Sequence, residues 1–165
     1  MIGWWAGKTR QFWRHLTGRL SAAEQTELIG WLTPAQLELF GSMHRADQRH
    51  GLDVVHTLRR GGHSERDLLL AGLLHDCGKG TDVGLWHRVG WSLTERYGRR
   101  VGDVLLRLPG FAAAFATIAD HPRRSAQLAL AAGCSPRTAQ LILHQAEGPA
   151  EDELGRALRL ADQAN

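Results

Sequence analysis

The stretch LLLAGLLHDCGKG, residues 68–80, decides how the chain is arranged. The seven residues before His75 are all Leu, Ala or Gly, and a helix that is apolar around its whole circumference is buried. A carboxylate at the end of such a helix is costly unless a cation or hydrogen-bond donors meet it. Asp76 therefore requires partners from other parts of the chain.

Those other parts are predicted to be helices joined by short loops. Ser21 to Glu24 reads as a capping box, and both Thr33-Pro34 and Ser135-Pro136 place a cap before a proline. Further helices are expected over about 43–60, from Ser64 to about Cys77, from Asp82 through Tyr97, on both sides of Pro109-Gly110, from Pro122 to Gly133, from Ser135 to Gly148, and over about 150–163. Period-two alternation is almost absent. The pattern predicts an all-α, compact, single-domain helical bundle.

Composition narrows the class of protein. A chain of 165 residues with 43% apolar and 22% charged residues fits one folded domain. No apolar run approaches the roughly 20 residues that span a bilayer, and the N-terminus lacks the uncharged core of a secretory signal. We therefore expect a cytoplasmic protein with no transmembrane segment.

The charge distribution does not indicate nucleic-acid binding. The formal charge is +3, and 18 of the 20 basic residues are arginines spread along the chain. A nucleic-acid interface needs clustered basic residues. A modest attraction to phosphorylated small molecules remains compatible with this charge.

The two cysteines, Cys77 and Cys134, lie far apart and form no CxxC motif. In a reducing compartment we do not expect them to form a disulfide. Cys77 follows Asp76 directly, which leaves a ligand role open, but a small buried hydrophobic side chain is the favoured interpretation.

The N-terminal segment, residues 1–42, is predicted to be a helical extension packed on a core domain of residues 43–165. Trp5, Phe12 and Leu16 fall on one helical stripe with arginines around it. The favoured interpretation is an outer helix of the bundle, and the alternative is a helix lying on a membrane surface. The tryptophans of this segment would also suit a homodimer interface.

Four further polar residues are expected to face the core or to begin a helix beside it. They are His50, His121, His144 and Asp162. Each alone is compatible with a structural role, but polar residues on so many apolar elements favour a metal centre. Imidazole and carboxylate form the mixed N/O ligand set that suits Mn, Fe, Zn or Co, and helical bundles build such centres from facing helices.

The order of these residues resembles a known family. His50, then His75-Asp76, then a distant Asp162 resembles the H…HD…D pattern of the HD superfamily of phosphohydrolases. The contexts QRHGLDVVHTL, LLLAGLLHDCGKG and LRLADQAN resemble the corresponding segments of that family. The stretch DHPRRSAQLALAAGCSPRTAQLILHQAE is similar to the multi-metal region of HD-GYP-type members. The resemblance covers about residues 43–163.

The resemblance implies a ligand set. His50, His75, Asp76 and Asp162 would hold a first divalent cation (Mn, Fe, Mg, Co or Zn). Asp76 would bridge to a second cation, which His121 and His144 would help to bind. Gln145 replaces the second histidine of the family's HH pair, and no GYP triad follows Lys79. A cyclic-di-GMP phosphodiesterase is therefore disfavoured, and the number of cations, one or two, stays open.

The chemistry that the resemblance implies is hydrolysis of a phosphomonoester or phosphodiester, of a nucleotide or a related small molecule, through a metal-activated water. Asp76, Lys79 and His121 are the expected catalytic residues. Lys79 would reach a phosphate, and His121 would act as a second-metal ligand or as a general acid. His87, Arg88, Arg123 and Arg124 are assigned either to the cleft or to surface and structural roles.

Two alternatives use the same fold differently. One is a nucleotide-sensing or partner-binding module with little turnover, which has less need of an intact ligand set. The other is a di-iron oxygenase with overlapping ligands and a different class of substrate.

Overall fold

The computed structural model describes residues 20–81, 83–146 and 152–165, and every regular element in those ranges is helical. The elements are, in order, α1 (Ala22–Trp31), α2 (Pro34–Ser42), α3 (Arg45–Arg60), α4 (Arg66–Leu74), a 3₁₀ helix (Cys77–Lys79), α5 (Leu85–Tyr97), α6 (Arg99–Leu105), α7 (Phe111–Ala131), α8 (Pro136–Ala146) and α9 (Glu153–Ala164). The all-α prediction is confirmed. The predicted N-terminal stripe and the predicted start of a helix at Asp82 lie outside the described residues, as does the predicted helix end at Gly148.

The predicted helix caps are present at three helices. The Ser21 hydroxyl accepts a hydrogen bond from the Glu24 amide at 3.2 Å, and the Glu24 carboxylate accepts one from the Ser21 amide at 2.8 Å. Thr33 caps α2 in the same reciprocal way. Ser135 accepts a hydrogen bond from the Thr138 amide at 3.1 Å ahead of α8. These side chains satisfy amides that the first turn of a helix leaves without partners.

Two predicted boundaries are wrong. The helix expected from Ser64 begins at Arg66 with Glu65 as its N-cap, and it ends at Leu74 instead of continuing to Cys77. The chain then tightens into the 3₁₀ turn, which brings the backbone of Gly78 against α7.

The expected start of a helix at Pro122 is also wrong, because Pro122 lies inside the continuous helix α7. Burial of Phe115 and Ile118 before the proline, and of Ala126 and Ala129 after it, holds the helix together across the missing backbone hydrogen bond.

Helix α4 is the centre of the core. Every residue from Leu68 to Leu74 is buried, and α3, α8 and α9 all pack against this helix. Leu28 of α1 and Phe40 of α2 belong to the same buried cluster. His75 and Asp76 leave α4 at its C-terminal end, so the apolar packing fixes the position of both side chains.

Helices α3 and α4 approach so closely that a glycine is required where they cross. A Cβ atom on Gly51 would lie 2.4 Å from the Leu73 carbonyl oxygen, which is far inside van der Waals contact. On the other side of the crossing, a Cβ on Gly72 would lie 3.2 Å from a Val54 methyl group. The crossing places His50, the neighbour of Gly51, beside His75.

Helices α5 and α6 pack against each other, and α5 contacts α7. The Trp91 ring meets Phe115 edge to face at 5.3 Å, and the His87 ring meets Phe111 at 4.9 Å. These contacts hold α5 as one wall of the cavity described below. Among the described helices, none combines the length and apolarity that crossing a bilayer requires.

We expect Gly51→Ala to lower the free energy of unfolding by about 2–3 kcal/mol, because the new methyl group must push α3 away from Leu73. Gly41→Ala is the matched control, since a Cβ there meets nothing within 4 Å and a helical alanine is slightly favourable. Urea unfolding followed by circular dichroism measures both variants. Equal effects of the two substitutions would contradict the close crossing.

The contact between α1 and α3 predicts a pH dependence. Burial alone would raise the pKa of Glu24, but hydrogen bonds from Arg49 and Ser21 outweigh burial and lower the pKa from 4.5 to about 2. A lowered carboxyl pKa stabilises the fold above the unfolded-state pKa, and this stabilisation disappears as the pH falls from about 4.5 to about 2. Since solvent reaches the pair, we expect a contribution of ~1 kcal/mol.

We therefore expect Glu24→Gln to be less stable than the wild type at pH 7 and equal to it near pH 2. Denaturant unfolding across this pH range gives the measurement, and Glu38→Gln, at an exposed site on α2, is the control. A stability difference between Glu24→Gln and the wild type that does not change with pH would contradict the assignment.

Candidate metal centre

Helices α3 and α9 bring His50 and Asp162 together. His50 Nε2 lies 2.7 Å from Asp162 Oδ1, although 112 residues separate them in sequence. The His50 side chain is 12% exposed and that of Asp162 is 32% exposed. The pair lies where the apolar faces of both helices end at a cavity.

His75 and Asp76 join this pair from the end of α4, and both are buried. His75 Nε2 lies 3.4 Å from Asp162 Oδ1 and 3.6 Å from Asp76 Oδ1. The rings of His50 and His75 meet edge to face with centroids 5.2 Å apart. Within the described ranges, one ligand atom each from His50, His75 and Asp76 forms a group whose members all lie within 4.8 Å of one another.

The backbone fixes which nitrogen of His75 faces the carboxylates. His75 Nδ1 lies 3.0 Å from the Gly72 carbonyl oxygen, and because a carbonyl only accepts, Nδ1 carries the hydrogen. In the neutral ring Nε2 then holds a lone pair directed at two carboxylate oxygens. Acceptors that face each other at this distance require a cation between them, either a proton or a metal ion.

The pKa values express the same requirement for positive charge. Burial opposes protonation of His75, but the Asp76 and Asp162 carboxylates outweigh burial and raise the pKa of His75 to about 9. Burial likewise opposes ionisation of Asp76, but Lys79 and His75 hold its pKa well below the usual range. His50 and His75 similarly lower the pKa of Asp162 against its burial. At neutral pH the centre therefore contains ionised carboxylates that attract a cation.

These residues fit a divalent metal ion. Two imidazole nitrogens and two carboxylate oxygens converge from three helices, and this N/O set suits Mn, Fe, Co or Zn. The hydrogen bond from His75 Nδ1 to Gly72 is the orienting contact that metal-binding histidines usually make with a backbone carbonyl or carboxylate.

Pro122 orients His121 toward the same centre. A proline has no amide hydrogen, so it leaves the Ile118 carbonyl without its usual helical donor. His121 Nδ1 donates to that carbonyl instead, and His121 Nε2 then lies 3.4 Å from Asp76 Oδ1. The proline that was expected to begin a helix therefore fixes the His121 ring in the middle of one.

The 3₁₀ turn holds Asp76 against α7. The Gly78 amide donates to the Ser125 hydroxyl at 2.8 Å, and a Cβ on Gly78 would lie 2.5 Å from the His121 carbonyl oxygen. This backbone contact sets the distance between Asp76 and His121.

Lys79 is held in place and is not a mobile charge. Its ammonium donates to Asp76 Oδ2 at 2.6 Å, and its side chain is 20% exposed. It still lines the cavity, so its remaining N–H groups are available to a bound anion.

His144 does not face the core, which corrects the expectation from sequence. It is exposed on α8, whose buried residues include Thr138, Leu141 and Ile142. Leu141 lies at the edge of that buried face. His144 follows it by three residues, so its side chain points about 60° farther from the buried face than that of Leu141. A hydrophobic residue three positions earlier was too weak a signal to place His144.

A cavity of about 680 Å³ opens beside the centre. Its wall contains His50, Asp76, Asp162 and Lys79, with further residues from α3, α5 and α7. Trp91 and Val89 contribute apolar surface on the α5 side. A volume of this size accommodates a small organic molecule.

Arg88 and Asp47 form an ion pair in the cavity wall. Arg88 Nη2 donates to Asp47 Oδ2 at 2.8 Å, Nη1 donates to the other oxygen, and Nε donates to the Val83 carbonyl at 3.0 Å. The carboxylate is buried, and the pair ties α5 to α3 one turn before His50. A bidentate pair of this kind holds the guanidinium in a fixed orientation.

The other residues considered from sequence lie away from the centre. His87 accepts a hydrogen bond from the Gly84 amide at 3.2 Å and caps α5. Arg123 is exposed and pairs with Asp120 at 2.9 Å, and Arg124 is also exposed. These three therefore have structural or surface roles.

The cysteines behave as buried apolar residues. Both are free and buried, and burial raises the pKa of Cys77 to about 12. The Cys77 thiol donates to the Ser125 carbonyl oxygen at 3.7 Å, so it packs against α7.

Sequence reasoning missed several residues on which the centre depends. The Asp47–Arg88 pair joins residues 41 positions apart, and nothing local in the sequence predicts it. Gly51 and Gly78 carried a signal, since a glycine beside a candidate ligand indicates close backbone approach.

A comparison with protein-family models, curated proteins and solved structures found no match to this chain.

We expect Pro122→Ala to stabilise α7 by about 1–2 kcal/mol and to loosen His121. The new amide hydrogen bonds to the Ile118 carbonyl and competes with His121 Nδ1. Thermal unfolding measures the stability, and nitrogen NMR of the histidine rings reports whether Nδ1 of His121 keeps its hydrogen. Pro136→Ala, at the first position of α8, is the control. Unchanged His121 resonances in Pro122→Ala would contradict this role of the proline.

Proposed function

We propose that this protein is a metal-dependent phosphohydrolase of the HD-superfamily type, acting on a phosphomonoester or phosphodiester of a nucleotide or related small molecule. The observation that carries the proposal is the convergence of His50, His75, Asp76 and Asp162 beside a cavity, whose wall includes three of them. These are the residues that the H…HD…D resemblance singled out. Such an arrangement costs stability unless a cation occupies it, which favours a centre built for function.

Each ligand side chain has a definite task in this proposal. His50 and His75 would bind the cation through Nε2, and Asp76 and Asp162 through Oδ1. A divalent cation held there supplies Lewis-acid activation of water and of a phosphoryl oxygen. The apolar packing of α4 keeps the four side chains in place, so little reorganisation accompanies the reaction.

The cavity supplies the contacts for a phosphorylated substrate. Lys79 keeps N–H donors that can meet a phosphoryl oxygen beside Asp76. Arg88, oriented by Asp47, adds a second positive group on the α5 side. Trp91 and Val89 offer apolar surface to the organic part of the substrate. A small phosphoester therefore suits this cavity better than a polymer.

His121 is assigned to positioning. Its Nε2 approaches Asp76 Oδ1 at 3.4 Å, whereas its Nδ1 is engaged with the backbone. It therefore holds the carboxylate, or adds a further nitrogen ligand, beside the cation. The cavity wall over the described residues is formed by other side chains, which disfavours a role for His121 as the acid that protonates a leaving group.

The test combines metal analysis with a phosphoesterase screen. The purified protein is loaded in turn with Mn, Mg, Co or Fe and assayed on p-nitrophenyl phosphate, bis-p-nitrophenyl phosphate and a panel of nucleotides. We expect at least one bound divalent cation per chain and metal-dependent turnover of a phosphoester. Asp76→Asn should lose more than about 100-fold in activity, since even partners of metal ligands contribute 10–100-fold.

Asp120→Asn is the matched control, because this carboxylate lies on the surface of α7 and pairs with Arg123. We expect it to keep wild-type activity. Bound metal without turnover of any phosphoester would contradict hydrolysis and favour a sensing or binding module. No bound metal, together with an unaffected Asp76→Asn variant, would contradict the metal centre itself.

A further inference from the structure

The two oxygens of Asp76 have different surroundings. Oδ1 faces the imidazoles, at 3.6 Å from His75 Nε2 and 3.4 Å from His121 Nε2. Oδ2 accepts a hydrogen bond from the Lys79 ammonium at 2.6 Å. A carboxylate that bridges two metal ions most often uses one oxygen for each ion. Here the second oxygen is already engaged by a positive charge that belongs to the protein.

Three described residues that could help to bind a second ion beside Asp76 Oδ2 are exposed, already engaged or directed at the other oxygen. His144, the expected second-site ligand, is exposed on α8. Asp47, a further carboxylate of the cavity wall, is engaged by both terminal nitrogens of Arg88. His121 approaches Oδ1 and not Oδ2. Among the described residues, the group that could hold a metal ion contains His50, His75 and Asp76, and His75 faces Asp76 through Oδ1.

The local turn places Lys79 at Oδ2 for a structural reason. Lys79 follows Asp76 by three residues through the 3₁₀ helix, which stacks side chains at this spacing on one another. Gly78 holds that turn against α7 through the hydrogen bond to Ser125. The ammonium is therefore positioned by backbone packing.

We propose that Lys79 takes the place of a second metal ion, so that the centre binds one divalent cation. The inference rests on the proposed metal centre and specifies how it is charged. The lysine ammonium neutralises Asp76 Oδ2, as a bridged second cation would. It also keeps two of its three N–H donors for a phosphoryl oxygen. Lys79 is thus a positioning residue for Asp76 that also contacts the substrate.

The experiment counts the metal ions and asks whether they are neighbours. The wild-type protein is equilibrated with Mn²⁺ by dialysis, its metal content is measured by mass spectrometry, and its Mn²⁺ is examined by electron paramagnetic resonance. Two Mn²⁺ ions that share a carboxylate give a spin-coupled spectrum, whereas an isolated ion does not. We expect one ion per wild-type chain and no spin coupling.

Three variants locate the effect. We expect Lys79→Gln to bind a second Mn²⁺ and to show spin coupling, because Asp76 Oδ2 becomes free. Lys79→Arg, which restores a positive donor, should return to one ion. Arg124→Gln removes the same charge from an exposed site on α7 and should also bind one ion. Circular dichroism verifies that each variant is folded before the count.

The outcomes separate this inference from the proposed function. Two spin-coupled ions in the wild type would overturn the inference and leave the metal centre intact. One ion in both wild type and Lys79→Gln would also overturn it, as would a second ion in Arg124→Gln. No bound ion in the wild type would overturn the inference together with the metal centre on which it rests. If Lys79→Gln does not fold, Lys79→Met, which keeps most of the aliphatic stem without the charge, takes its place in the same count.

Discussion

The burial of the Asp76 carboxylate at the end of an apolar helix constrains everything around it. An ionised carboxylate in such a place must be surrounded by positive charge and hydrogen-bond donors. The chain supplies Lys79 to one oxygen, and the imidazoles of His75 and His121 lie near the other. Asp162 adds a second negative charge beside His50 and His75. The two carboxylates therefore require positive charge beside them, which the proposed cation would supply.

Close backbone contacts convert this electrostatic requirement into geometry. The α3–α4 crossing at Gly51 brings the rings of His50 and His75 within 5.2 Å, and the contact of Gly78 with α7 sets the position of His121. Pro122 acts in the opposite way, because it removes a donor and so frees the Ile118 carbonyl for the His121 ring. Three residues without functional groups thus determine where the functional groups point, and mutation of any of them should disturb the site without removing a ligand.

The fold and the centre were predictable from sequence to different degrees. Helix caps such as Ser21 depend on neighbours within one turn, so the sequence predicts them well. The inward position of His50 followed from its helical spacing to the apolar residues Val54 and Leu58. The exposure of His144 and the continuity of α7 through Pro122 depend on packing between distant helices, which local patterns do not report. The ion pair of Asp47 with Arg88 is a long-range contact of the same kind.

A crystal structure of the Mn²⁺-loaded protein, with anomalous data collected at the manganese edge, tests the central claim most directly. We expect one anomalous peak within bonding distance of His50 Nε2, His75 Nε2, Asp76 Oδ1 and Asp162 Oδ1, with Lys79 still hydrogen-bonded to Asp76 Oδ2. If no peak lies among these atoms, the proposed metal centre is contradicted, whether or not Mn²⁺ is bound elsewhere in the crystal.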